Sequence, residues 1–192
     1  MLILIAGLLI FLGVHSINIA APARRHALAE SLGATKWKLI YSVVSLLGLL
    51  LIINGYAAAR MSPTWLWMPP TGLRHLALLL TVPAFILLVA AYVPGNRIKA
   101  KLGHPMYVAV KIWAFAHLLA NGSAADVLLF GSFLIWAVAG FAVSRRRDRV
   151  AGIQRPAGTA KGDITTVVIG LVSWAVFAMF LHTALIGVSP LP

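Results

Sequence analysis

Six long apolar runs constrain this chain more than any other feature of its sequence. They cover residues 2–21, 38–58, 75–93, 105–121, 124–143 and 164–187. A helix needs about 20 apolar residues to cross the hydrocarbon core of a bilayer. No water reaches the backbone there, so only helices or the strands of a closed barrel can cross. The runs lack the strict alternation of barrel strands. They therefore predict an all-α, polytopic transmembrane bundle with six spans, forming one integral-membrane domain over residues 1–192.

The composition also indicates that the chain is folded in a lipid bilayer. The chain is 61% hydrophobic and 10% charged, whereas soluble domains are about 45–50% apolar and about 25% charged. A water-soluble fold of this length cannot bury so much apolar surface, so we expect membrane lipids to cover it. No basic residue precedes the first apolar run, and we therefore expect a retained span rather than a signal peptide.

The basic residues predict the orientation. Three connections are rich in arginine and lysine, and the connections between them carry only Arg60 and Arg74. The basic residues of the three connections are Arg24, Arg25, Lys36, Arg97, Lys99, Lys101, Arg145, Arg146, Arg147, Arg149, Arg155 and Lys161. Positive charge marks the cytoplasmic side, so we predict a bacterial inner-membrane protein with both termini periplasmic. The net charge of +12 is explained by topology and anionic lipid, and no nucleic-acid surface is expected.

Two further features of the sequence are its longest connection and its lack of cysteine. The longest connection, residues 144–163, is rich in Arg, Gly and Ala, and we expect a flexible cytoplasmic segment. The chain has no cysteine, which excludes disulfides and thiolate metal sites.

Histidines inside the apolar runs are the main functional signal. His15 lies in "FLGVHS" and His117 lies in "WAFAHLLANG". An ionisable group in a bilayer is costly unless it is paired, ligated or hydrated. Each histidine is either a neutral packed residue bonded to a carbonyl or an axial ligand of haem iron or another metal. Trp113 precedes His117 by one helical turn, so the two share a face that suits a flat apolar cofactor.

Depth bears on whether the two histidines can share one haem. At 1.5 Å per residue, His15 lies about 9 Å from the cytoplasmic boundary and His117 about 18 Å. Bis-imidazole ligation needs the two nitrogens within about 4 Å. Span ends are uncertain by two to four residues and helices tilt by about 20°. The count therefore leaves open whether His15 and His117 bind the same haem.

Other polar residues near the spans are weaker candidates. His104 and Lys111 are seven residues apart and lie on one stripe of the fourth span. Lys111 either binds an anionic group, such as a haem propionate or a lipid phosphate, or snorkels to the surface. Arg74 is a further candidate for propionate or substrate contact. His75 and His182 are interpreted as interface residues.

Four segments of the chain resemble the NnrU family of bacterial membrane proteins. They are "FLGVHS", "GATKWKLIYSVVSLLGLLLI", "PTWLWMPP" and "GHPMYVAVKIWAFAHLLANG", in the order of the family and within about residues 1–140. The family is named for a requirement in expressing nitrite and nitric oxide reductase activity in denitrifying bacteria. It also includes the zeta-carotene isomerase, a haem b membrane enzyme.

The resemblance implies a site. The two haem histidines of the isomerase fall on His15 and His117, and the iron of haem b would be the metal. The isomerase has a cysteine after the tryptophan of the second motif, proposed as an alternative ligand, and here that position is Ala114. Thiolate exchange is therefore excluded, and carotene isomerase activity is in doubt. The resemblance leaves two roles open: a redox-gated, isomerase-like enzyme with a lipophilic polyene substrate, or an accessory protein that serves respiratory redox partners.

A different class of enzyme offers an alternative. "GHPMY" at 103–107 is similar to the "RHPxY" segment of integral-membrane methyltransferases that use S-adenosylmethionine, which would give His104 and Tyr107 cofactor roles. Gly103 replaces the arginine of that motif, and no acidic pair follows the last span. Haem b held between the first and fourth spans, with Lys111, His104, Arg74 and Trp113 beside it, is the prediction that we prefer.

Overall fold

The computed structural model describes residues 1–191, and their regular elements are helices. In chain order these are α1 (Leu2–Ala20), α2 (Pro22–Leu32), α3 (Ala34–Arg60), α4 (Thr71–Ala90), α5 (Arg97–Leu102), α6 (Pro105–Ala120), α7 (Ala124–Val150), α8 (Ala160–Val176), a π-helical turn (Phe177–Leu181) and α9 (His182–Ile186).

The apolar helices correspond to the six predicted runs. Among residues 1–191, α1, α3, α4, α7 and the continuous stretch Ala160–Ile186 are long and apolar enough to cross a membrane. The sixth, α6, is apolar but has 16 residues. The all-α polytopic prediction is therefore confirmed. Several helices are longer than the apolar runs that predicted them. Polar residues with good helix propensity continue the helical hydrogen bonding beyond the ends of those runs.

The helices pack side by side as an open row. Its order is α3, α1, α7, α6, α4 and α8, and α3 also touches α7. The accessible surface is 11380 Å². A compact monomer of 20.5 kDa exposes about 8,800 Å². The excess follows from the open row, in which α3 and α8 form two edges covered with exposed leucine, isoleucine and valine.

Glycines let α1 and α3 approach closely. A Cβ on Gly48 would lie 2.8 Å from the backbone nitrogen of Phe11, and a Cβ on Gly7 would lie 2.6 Å from the nitrogen of Ile52. The position of Gly55 likewise has room for hydrogen alone beside the backbone of Leu4. Small residues at a helix interface are the usual means of tight packing in a membrane.

At the end of the bundle opposite the basic connections, a loop is fixed to a helical hairpin. A tight turn at residues 121–123 connects α6 to α7. The carbonyl of Gly122 accepts from the N–H of Leu66 at 2.8 Å, and the N–H of Ala124 donates to Thr64 O at 2.8 Å. A side chain on Gly122 would overlap the carbonyl of Trp67. The "PTWLWMPP" segment is thereby held against the hairpin.

The expectation of a flexible segment at residues 144–163 is wrong. Its first part continues α7, and Arg155 then folds back to donate to Asp148 at 2.5 Å. The N–H of Thr159 donates to Gly95 O at 2.8 Å, immediately before α8 begins. Four of the charged residues in this segment are paired with neighbouring groups: Arg147, Asp148, Arg155 and Asp163.

Two short helices at the basic end had not been predicted. None of the residues of α2 is buried. The helix therefore lacks the periodic apolar face by which a packed helix is identified in a sequence. Asn96 caps α5 by accepting from the N–H of Lys99 at 2.6 Å. Arg147 donates to the carbonyls of Asn18 and Ile19, which fixes the end of α1.

Candidate functional site

His15 lies near the basic end of α1, between α3 and α7. Its Nδ1 lies 2.6 Å from the carbonyl oxygen of Phe11, one turn earlier on the same helix. The Phe11 ring stacks on the imidazole with centroids 4.2 Å apart. Tyr41 of α3 and Trp136 of α7 complete the surroundings, at centroid distances of 5.3 and 6.3 Å.

His117 lies near the opposite end of α6 in the same kind of setting. Its Nδ1 lies 2.8 Å from the carbonyl oxygen of Trp113, one turn earlier. The predicted shared face is confirmed, since the Trp113 ring is 5.0 Å from the imidazole. Phe130 of α7 stacks on it at 4.6 Å. Asn121, on the same stripe, donates to the backbone oxygen of His117 rather than to its ring.

Both histidines share one hydrogen-bonding arrangement. A carbonyl oxygen only accepts, so the bond at Nδ1 requires the proton on that nitrogen. The Nε2 atom of each neutral ring then carries the lone pair. Metal-ligating histidines typically hold their other ring N–H on a carbonyl or carboxylate in this way, which fixes the tautomer and the ring orientation. Each imidazole is therefore chemically suited to a metal.

The two imidazoles lie at different depths. Trp136 and Phe130, the α7 residues beside His15 and His117, are six positions apart in the sequence. At 1.5 Å per residue these two contact residues are about 9 Å apart along the axis of α7. In addition, α7 lies between α1 and α6 in the row.

A series of aromatic contacts connects the two histidines. Phe11 is 5.8 Å from Phe133, and Phe133 is 5.6 Å from Trp113. Both phenylalanines and the tryptophan pack against the buried core cluster. Two imidazoles on different helices are a donor set of the kind that binds haem iron. Among residues 1–191 no three His, Asp or Glu side chains converge on a metal-sized site, and axial haem ligation requires only one or two.

The weaker candidates are dispersed. The Nζ of Lys111, a partly exposed residue, lies 4.0 Å from the centroid of the Phe141 ring, which is near the basic end of α7. A cation over an aromatic face is attracted by the ring quadrupole. Arg74 and His75 are exposed in the first turns of α4, at the end opposite the basic connections. His182 is bonded through Nδ1 to the carbonyl of Val188 at 2.6 Å.

The residues of the methyltransferase hypothesis have structural contacts. His104 precedes the first residue of α6, and its Nε2 lies 2.8 Å from Asp148 Oδ2. Arg155 pairs with the same oxygen. The Tyr107 ring packs on Trp136 at 5.1 Å and fills the space that a side chain on Gly140 would need. These contacts tie helix ends together and lend no support to a cofactor role.

A buried carboxylate was missed by sequence reasoning. Asp126 is 5% exposed. Tyr56 donates to its Oδ1 at 2.5 Å, and the backbone and hydroxyl of Ser123 donate to its Oδ2 at 2.8 and 2.6 Å. The spacing of Ser123 and Asp126 is that of a capping box, which could have identified it. Tyr56 also meets the Phe130 ring edge-on, so this network borders the His117 surroundings.

A groove of about 410 Å³ lies between α1 and α7. Leu12, Ser16 and Ile19 line one side, and Trp136 lies on the other. Trp136 also contacts His15, so its indole borders both the groove and that imidazole. The lining is mostly apolar and suits the hydrocarbon part of a lipophilic molecule.

The comparison with known families gives one match. The model of the NnrU protein family matches residues 3–190, which is nearly the whole chain. No curated protein matches, and no solved structure matches.

Proposed function

This chain belongs to the NnrU family, and from that premise we propose that it is a haem b-binding protein of the bacterial inner membrane with both termini periplasmic. His15 and His117 are the proposed iron ligands. Its proposed role is support of denitrification, through the expression or maturation of nitrite and nitric oxide reductases, by electron exchange with a respiratory redox partner.

One observation carries this proposal. Two histidines on different helices each hold Nδ1 on a carbonyl one turn earlier, at 2.6 and 2.8 Å. A histidine that only needs to pack can satisfy either nitrogen with any partner. The repeated arrangement leaves the same atom, Nε2, available at both positions. Imidazole nitrogen is the usual protein ligand of haem b iron.

The surroundings of the imidazoles define what this chain contributes. Haem would supply an iron centre that gains and loses one electron. The rings of Phe11, Phe130 and Trp113 exclude water from the two imidazoles and fix their planes. Ala114 is fully buried, and the chain has no cysteine, so the ligand set is imidazole without thiolate exchange.

The groove between α1 and α7 favours a second candidate function. A lipophilic polyene lying in it would contact Trp136, whose ring also contacts His15. This supports a redox-gated, isomerase-like activity on a membrane-dissolved substrate. An accessory role needs no such groove, so filling it with Ser16→Phe distinguishes the two candidates. Loss of polyene turnover with haem retained would indicate the enzyme.

The test of haem binding is an ultraviolet–visible spectrum of the detergent-purified protein, oxidised and then reduced with dithionite. We expect a Soret band that is lost or altered in His15→Ala, in His117→Ala or in both. His75→Ala is the matched control, because His75 is exposed at the start of α4. A protein that stays colourless after haem is supplied would refute the proposal and leave both histidines as packed residues.

A further inference from the structure

We propose that Lys111 and Arg145 form a binding site for the phosphate group of an anionic phospholipid, in the bilayer leaflet at the basic end of the bundle. Lys111 lies on α6 and Arg145 lies on α7. The site holds one lipid against the pair formed by these two helices, and it is independent of the proposed haem binding.

The side chain of Lys111 extends toward the basic end. Tyr107, one turn before Lys111 on α6, fills the space beside Gly140 of α7. Since α6 and α7 run in opposite directions, Lys111 lies farther from the basic end than Gly140. Its Nζ nevertheless lies 4.0 Å from the ring centroid of Phe141, the residue after Gly140. Helical side chains lean toward the N-terminus of their helix, which for α6 is the basic end. The stem therefore carries the charge toward the membrane surface.

Lys111 has no counter-ion within the described chain. The sequence contains four acidic residues, and three of them are paired elsewhere: Asp126, Asp148 and Asp163. The fourth, Glu30, lies on α2, which packs against α1 and α3. Among residues 1–191, Lys111 therefore has no ion pair. A lysine inside a span is costly unless its charge is paired, so the anion has to come from outside the chain.

Arg145 supplies a second cation on the same surface. It follows Phe141 by four residues on α7, so the two share a face and lie about 6 Å apart along the axis. Arg147 and Arg155 are bonded to other groups, whereas Arg145 is partly exposed and has no ion pair among residues 1–191. An ammonium over Phe141 and a guanidinium one turn away suit the oxygens of a single phosphate.

The neighbouring surface favours a lipid over a free anion. Phe141 belongs to the apolar run at residues 124–143. Val138, three residues earlier on the same face, is 49% exposed. An acyl chain lying along this apolar face brings its phosphate to the two cations. Basic pockets between spanning helices bind the head groups of anionic lipids in this way.

A lipid titration of the haem-free protein tests the site. Phosphatidylglycerol is added to the protein in dodecyl maltoside micelles, and the thermal midpoint is followed by far-ultraviolet circular dichroism. We expect the midpoint of the wild type to rise. The lipid concentration that gives half of this rise should be about fivefold higher in Lys111→Gln, the factor expected for one basic side chain at an anionic surface, and unchanged in Lys111→Arg.

Lys101→Gln is the matched control, because Lys101 is exposed on α5 at the same end and its loss removes the same charge. Equal half-effect concentrations in Lys101→Gln and Lys111→Gln would overturn the proposal and indicate general electrostatic attraction. Arg145→Gln is a second variant, so that the test does not depend on the folding of Lys111→Gln. It should also raise the half-effect concentration, and an unchanged value would overturn the two-cation site.

Two further titrations identify the source of the phosphate. Phosphatidylcholine, whose head group has no net charge, should act equally on the wild type and on Lys111→Gln. Glycerol phosphate has the same anionic group without acyl chains, and it should leave the midpoint unchanged at the same concentrations. A full rise with glycerol phosphate would overturn the assignment to a lipid. A difference between the wild type and Lys111→Gln in phosphatidylcholine would overturn the requirement for an anionic head group.

Discussion

Gly48→Ala is the sharpest test of how α3 positions His15. A Cβ at residue 48 would lie 2.8 Å from the backbone nitrogen of Phe11 and 3.0 Å from its Cα. Those atoms belong to the backbone of α1, so they cannot rotate away and the two helices must separate. Phe11 is also the residue whose carbonyl and ring hold His15, so the displacement reaches the candidate site.

The magnitude follows from a matched control. Overpacking a well-packed interface costs about 1–3 kcal/mol, while replacing glycine by alanine in a helix gains up to about 1 kcal/mol. Gly131 lies inside α7 with no atom within 4 Å of an added Cβ. Gly131→Ala therefore shows the helical gain alone. The difference between the two variants should be about 1–3 kcal/mol, or roughly 5- to 150-fold in the unfolding equilibrium.

The assay is unfolding in mixed micelles by titration with sodium dodecyl sulfate, followed by far-ultraviolet circular dichroism. We expect the midpoint of Gly48→Ala to fall below that of the wild type and that of Gly131→Ala to match or exceed it. In haem-loaded protein the Soret band of Gly48→Ala should shift as well, because His15 loses its fixed carbonyl. Coincident midpoints for the two variants would refute the close contact between α1 and α3.

Three further results are expected. Tyr56→Phe removes the hydroxyl that donates to the buried Asp126 carboxylate, and it should lower the free energy of unfolding by about 1.5–3 kcal/mol in the same titration; an unchanged midpoint would contradict the network. Gly122→Ala places a methyl group against the carbonyl of Trp67, so limited proteolysis should cut the loop at 61–70 faster than in the wild type, and equal rates would contradict the contact. A C-terminal alkaline phosphatase fusion should be active and a fluorescent-protein fusion dark, since positive charge is retained in the cytoplasm; the opposite pattern would invert the topology.

The sequence predicts the spans because lipid leaves one way to satisfy the backbone. Apolar length alone identifies the six helices. Apolar length does not predict the structure at the basic end of the bundle, because α2 and residues 145–159 lie outside the apolar runs. There the structure depends on particular side chains, such as Arg155 reaching Asp148 and Asn96 capping α5. Charge patterning predicts the side of the membrane but not which carbonyl or carboxylate each charge meets.

Part of the candidate site could likewise be predicted from the sequence, and part could not. The cost of burying an imidazole singled out His15 and His117, and helical spacing predicted the contact between Trp113 and His117. The order of the helices in the row cannot be predicted from the periodicity of apolar residues. Because α7 packs between α1 and α6, a cofactor site between the first and fourth spans could not be tested by counting residues along either helix.

Depth, unlike helix order, can be counted from the sequence. Residues in two spans can face one another across a bound group only if they lie at similar distances from the same membrane boundary. For His15 and His117 that count gives about 9 and 18 Å from the cytoplasmic boundary, and the two imidazoles contact α7 at different positions, Trp136 and Phe130. The level of each histidine in the membrane can therefore be predicted from the sequence, whereas the side chains around it depend on the order of the helices.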